Sequence, residues 1–306
     1  MAESGDPLEN STGGVIVRRS KTFFEGYGDF ELQSSDGVVF QISRFLLAYS
    51  SPVFSDMFSL ASPSKIKAEE GEEISDRSPN SQPIQVTEDA LTLDLLLRHI
   101  DPRKNPAPLN EATISNLLEA ARKYQLSTVM AWFETECVKY AEHPNKPNPG
   151  TSLMAHNPLM VLALASEYDL PIIASQAIST LITSDSTLLY KDVNIPLPLY
   201  RYVQCLREER VNWFIARIGI IANKLYRGKP VAPSICACHN TRTGWIHALT
   251  EVVLRTPKWA NFESEIRSPL RRCRPGCGEW AGQIAEDISI WEHEANRVES
   301  ILPPLP

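Results

Sequence analysis

Residues 28–58 read Gly-Asp-Phe-Glu-Leu-Gln-Ser-Ser-Asp-Gly-Val-Val-Phe-Gln-Ile-Ser-Arg-Phe-Leu-Leu-Ala-Tyr-Ser-Ser-Pro-Val-Phe-Ser-Asp-Met-Phe. Phe30 and Leu32 alternate with polar neighbours, the pattern of a half-buried strand. Asp36-Gly37 is a hairpin-turn signal, because glycine takes positive φ without a steric clash. Val38, Val39 and Phe40 form the return strand, and Ile42 extends its apolar face. Phe45, Leu46, Leu47 and Tyr49 then crowd one side of a short helix. Ser50-Ser51-Pro52 supplies an N-cap and a proline in the first turn, where the missing N–H is not needed. Val53, Phe54, Met57 and Phe58 follow at helical spacing. The stretch predicts a hairpin followed directly by two short apolar helices.

Outward from this stretch, the 306 residues leave room for roughly two domains. A hydrophobic content of 43% with 22% charged residues is that of a globular chain with ordinary cores. The net charge of -7 argues against a general nucleic-acid-binding surface, which draws on excess lysine and arginine. No run of about 18 apolar residues is present, so no spanning helix is expected. The N-terminus lacks a basic region followed by an apolar core, so an intracellular location, nucleus or cytoplasm, is expected. Six cysteines in that setting are read as thiols or metal ligands.

Residues 1–14 are polar, with Gly, Ser and Pro, and are expected to be disordered. The segment from Val15 reads as a lead-in that packs Phe23 and Phe24 on the sheet, with Arg18, Arg19 and Lys21 solvated. Residues 59–82 are rich in Ser, Pro, Lys and Glu and predict an acidic loop. Ile84-Gln85-Val86 reads as a third strand. Leu91, Leu95, Leu96 and His99 define the stripe of the next helix, which Asp101-Pro102 stops, and His99 reads as a core or rim histidine. Ile114, Leu117, Leu118 and Ala121, then Val129, Trp132, Phe133, Cys137 and Val138, give a helical pair. Residues 144–157 read as a Pro-rich linker and 158–306 as a helical C-terminal region. Ala121, Tyr124 and Leu126 recur as Ala165, Tyr168 and Leu170, an echo at 44 residues that predicts a second helical hairpin. Pro196 and Pro198 are expected to break the helix over 185–226, and Glu208 to Arg210 to form a solvated face.

Chemistry concentrates in Cys236-Ala-Cys238-His239 and Cys273-Arg-Pro-Gly-Cys277. Two cysteine pairs can assemble a closed tetrahedral thiolate site, so Cys236, Cys238, Cys273 and Cys277 are candidate structural zinc ligands, with His239 or His247 able to replace one sulfur. A Cys-x-Cys pair is tighter than the usual spacing, and free thiols or a disulfide fit the same residues. No Gly-x-Ser-x-Gly elbow, phosphate-binding glycine loop or His-Glu-x-x-His helix occurs, so no catalytic residue and no other cofactor is assigned.

Asp29, Asp36-Gly37, Phe40-Gln-Ile42-Ser43-Arg44, Leu46-Leu47, Ser51, Phe54 and Met57-Phe58 together resemble the opening of a BTB/POZ domain. The departure is Ser43, where that family usually carries histidine. Ala121-Arg-Lys-Tyr124-Gln-Leu126 is similar to the family's closing helices, and the tail with its cysteine pairs resembles BTB proteins expanded in mushroom-forming fungi. The resemblance implies an α+β fold, a short mixed sheet capped by helices, over residues 15–143 with a core motif at 28–100. It implies a core of Leu46, Leu47, Phe54, Met57 and Phe58, and a non-catalytic module that associates with itself or other BTB chains. A substrate adaptor for a cullin-type ubiquitin ligase, using the surface around Ser55-Asp56-Met57, and a transcriptional or chromatin regulator are the alternatives. Neither direct nucleic-acid binding nor a membrane partner is expected.

Overall fold

A computed structural model describes residues 18–61, 82–142, 153–227, 242–270 and 279–300. The predicted disordered N-terminus (1–14) and most of the acidic loop (59–82) lie outside the described residues. The chain divides into two compact units, Met1–Phe133 and Glu134–Pro306.

The first unit is a four-stranded mixed sheet under helices, in strand order β1-β3-β2-β4. Strands β2 (Phe30–Gln33) and β3 (Val38–Ile42) form the predicted antiparallel hairpin, in which Leu32 faces Phe40. The turn is longer than the Asp36-Gly37 pair alone. Ser34 C=O accepts the Gly37 N–H at 3.0 Å, and Gly37 closes the loop at φ +83°. Two short strands flank the hairpin, each parallel to its neighbour: β1 (Arg18–Arg19) beside β3 and β4 (Ile84–Gln85) beside β2. Gly28 admits the close pass of β3, since a Cβ there would lie 2.1 Å from the Ile42 carbonyl carbon. Phe23 is fully buried, but Phe24, expected beside it on the sheet, is 52% exposed.

Helices α1 (Arg44–Ser50) and α2 (Pro52–Ala61) follow the hairpin directly. Leu47, Phe54 and Phe58 enter the core, whereas Leu46 and Met57 are only half-buried. Helix α3 (Ala90–Ile100) is capped by Asp89, whose carboxylate accepts the Thr92 N–H at 2.7 Å. Its buried stripe is Leu93, Leu96, Leu97 and Ile100; of the expected Leu91, Leu95, Leu96 and His99, only Leu96 is fully buried, Leu95 and His99 are half-buried and Leu91 faces solvent. The stripe expected from the sequence started about one residue too early. Helices α4 (Ile114–Lys123) and α5 (Ser127–Glu142) complete the expected helical pair, with Ile114, Leu117, Leu118, Val129 and Phe133 in the core.

The second unit is helical. Helix α6 (Leu153–His156) is one turn with Leu153 and Met154 buried, inside the stretch read as linker. Helices α7 (Pro158–Glu167) and α8 (Pro171–Thr183) form a hairpin. A 3-10 turn (Ser186–Tyr190) leads to α9 (Leu197–Arg227), 31 residues long. Pro196 and Pro198 do not break a helix: Pro196 precedes α9 and Pro198 sits in its first turn, where no N–H is required. Of the solvated face expected over Glu208 to Arg210, Glu208 and Glu209 are exposed, and Arg210 is the correction. Arg210 and its neighbour Arg207 are buried, 5% and 6% exposed.

Helices α10 (Arg242–Arg255), α11 (Trp259–Leu270) and α12 (Glu279–Ser300) form an antiparallel bundle with the second half of α9. Its core holds Phe214, Ile218, Ile221, Leu249, Val253, Phe262, Ile266, Ile284 and Ile288. Arg217 Nη2 meets Glu294 Oε2 at 2.7 Å and Lys224 pairs with Asp287, so α9 and α12 run in opposite directions. Arg207 reaches the last turn of α10, and the Trp245 indole donates to Glu265 C=O at 3.1 Å between α10 and α11. The helix ends at Arg227, Arg242, Leu270 and Glu279 therefore share one end of the bundle.

Candidate interaction surface

Asp29, Ser51 and Arg44 fix where α1 sits. Asp29, just before β2, accepts the Arg44 N–H at 2.8 Å and caps α1, a task Ser43 leaves to it because its side chain makes no cap bond. The Arg44 guanidinium lies 4.7 Å over the Phe58 ring and donates to Phe58 C=O. At the other end, the buried Ser51 hydroxyl accepts the Phe54 N–H at 3.2 Å, capping α2 as predicted, and donates to Tyr124 C=O at 2.6 Å. Phe54 stacks on the Tyr124 ring with centroids 4.7 Å apart and planes 7° apart.

The Tyr124 hydroxyl and the Lys123 ammonium both donate to Glu88, at 2.5 and 2.7 Å. Burial pushes the Glu88 carboxyl up, and these two donors more than reverse it, leaving it below the ordinary carboxylate range. A second anchor joins Tyr27, Asp101 and Arg103. The Arg103 guanidinium holds the Asp101 carboxyl down to about 2, against burial, and lies 4.4 Å over the Tyr27 ring.

On this anchored frame α1 turns two aromatics outward. Phe45 and Tyr49 are 72% and 81% exposed and stack on each other, with centroids 6.0 Å apart and planes at 19°. The expectation that they share one side with Leu47 fails, because i and i+4 put them together while Leu47 points to the core. Side chains that face water one at a time are ordinary; two stacked aromatics on one short helix form an apolar patch. Asp56, in the surface tied to the adaptor alternative, is exposed, and Ser55 and Met57 are half-buried.

His99 packs edge-on against Trp132 at 4.8 Å, and burial lowers its pKa to about 4. It is the rim histidine the sequence predicts. Cys137 is buried, and that burial raises its thiol to about 12. The candidate metal residues Cys236, Cys238, Cys273 and Cys277, and His239 with them, lie outside the described residues. His247 is described: it is exposed on α10, with Nε2 3.3 Å from Glu251 on the same helix. Among the described residues no group of three or more His, Cys, Asp or Glu is placed to hold a metal ion, and no helix is long and apolar enough to cross a membrane.

Compared with known families, residues 21–141 match the BTB/POZ domain. The match begins just after β1 and ends in α5. No curated protein matches the chain.

Proposed function

Since the chain carries a BTB/POZ domain over residues 21–141, we propose that it is a non-catalytic protein-interaction module that self-associates through that domain. The observation that carries this reading is the exposed, stacked Phe45–Tyr49 pair on α1. Burying two such rings against a second copy releases apolar area at about 25 cal/mol per Å² and leaves the capped frame behind them intact. Light scattering tests it. The Phe45→Asp, Tyr49→Asp chain is expected to lose at least tenfold in self-affinity while keeping its helical signal. An unmodified chain that is monomeric at tens of micromolar, a range in which weak dimers form, overturns it.

Two narrower roles fit the same module: a substrate adaptor for a cullin-type ubiquitin ligase, and a transcriptional or chromatin regulator. Pull-down separates them, because an adaptor requires a cullin among the stoichiometric partners.

A second reading concerns the cysteine pairs. We propose that Cys236, Cys238, Cys273 and Cys277 hold a structural zinc ion. The support is topological: the four described helix ends that bracket the two pairs, Arg227, Arg242, Leu270 and Glu279, share one end of the bundle. Thiolate ligands drawn from two separated segments would tie that end together, and binding would add directly to folding stability. Elemental analysis of the purified chain is expected to give one zinc per molecule; under about 0.2 rejects a tight site.

A further inference from the structure

We propose that the outer face of α9 docks a second copy of this chain in antiparallel orientation, at a surface separate from α1. Along α9, Val203, Arg207, Arg210, Phe214, Ile218, Ile221 and Leu225 turn inward. The opposite face shows Asn212, Ile215, Ala216, Gly219, Ile220, Asn223 and Tyr226. Ile215, Ile220 and Tyr226 are 37%, 41% and 64% exposed, and no exposed residue from 210 to 226 carries a charge. That uncharged face runs for about 20 Å.

Gly219 is the second observation. A glycine inside a helix weakens it relative to alanine, and here a Cβ would meet nothing within 4 Å, so no contact among the described residues explains it. With Ala216 one turn away, it forms a shallow seat in which another backbone can come close, flanked by Ile215 and Ile220.

The occupant is identified by the symmetry of the face about the midpoint between residues 217 and 218. A second α9 laid antiparallel brings Asn212 level with Asn223 of the other copy and Ala216 level with its Gly219. Glu209 comes level with the uncharged Tyr226 near the end of the helix. The acidic residues at one end of each copy thus stay apart in a two-fold contact, whereas parallel pairing sets Glu208 and Glu209 against themselves.

The inference does not rest on the α1 reading, and the experiment keeps the two apart. In the full chain carrying Phe45→Asp and Tyr49→Asp, sedimentation at tens of micromolar is expected to retain a dimer. Gly219→Arg in that background is expected to give a monomer of unchanged helicity. Ile215→Asp is expected to weaken the dimer about tenfold, and Ile220→Lys, level with it on the other copy, to restore it when added. A monomer before any change on α9, a dimer that tolerates Gly219→Arg, or a charge pair that fails to restore affinity each overturns the proposal.

Discussion

Arg207 is a charged residue buried, among the described residues, without a carboxylate in hydrogen-bonding contact. Its terminal nitrogens donate to the carbonyls of Leu181 at 3.0 Å, Ser184 at 2.8 Å and Arg255 at 2.7 Å. These acceptors belong to the C-terminal ends of α8 and α10, and each helix end presents about half a negative charge. Two helix ends together balance one guanidinium. Arg210, also buried, donates to Pro257 C=O in the connection between α10 and α11. Replacing Arg207 with Met leaves several buried carbonyls without a donor, and urea denaturation is expected to show a loss of about 3 kcal/mol. Arg207→Lys should recover only part of it, because an ammonium cannot fork between two helix ends. At His99 the sign follows from burial. The folded pKa, about 4, lies below the ordinary histidine value of 6.5, so the fold holds the neutral ring and the unfolded chain takes the proton first. Stability is therefore expected to fall as pH drops from about 6.5 to about 4, and His99→Phe to flatten that slope in denaturation curves collected across the window.

At the scale of elements, the 44-residue echo is a backbone repeat. Leu126 N–H bonds Ala121 C=O at 2.8 Å, and Leu170 N–H bonds Ala165 C=O at the same distance. Gln125 and Asp169 both stand at φ +55°. Each helix thus ends in the same six-to-one closure around a left-handed residue, and neither residue is the glycine this position favours. Gln125→Gly is expected to raise stability by about 1 kcal/mol, read as a higher melting temperature; a fall would mean the glutamine side chain has a role of its own.

The echo was legible because Ala, Tyr and Leu recur at fixed spacing, and the hairpin was legible because alternation and Asp-Gly act locally. The outward turn of Phe45 and Tyr49 was not, since an apolar residue on a helix carries no mark of which side the core lies. Nor was the burial of Arg207 and Arg210. Their acceptors are carbonyl groups 23 to 48 residues away, and every residue has a carbonyl. The candidate cysteines were legible as pairs, while the shared end of their flanking helices emerges only from the antiparallel path.

At the scale of the whole molecule, the second unit is joined by one continuous rod. Helix α9 is about 46 Å long. Its first turns, with Leu199 and Val203 buried, lie beside α8, and its later turns, from Phe214 to Leu225, belong to the bundle core. Two cores that share an unbroken helix cannot melt independently, because unwinding the rod for one removes a wall from the other. The helical unit should consequently lose its structure in one cooperative step, and a fault introduced near the middle of α9 would be felt at both ends at once.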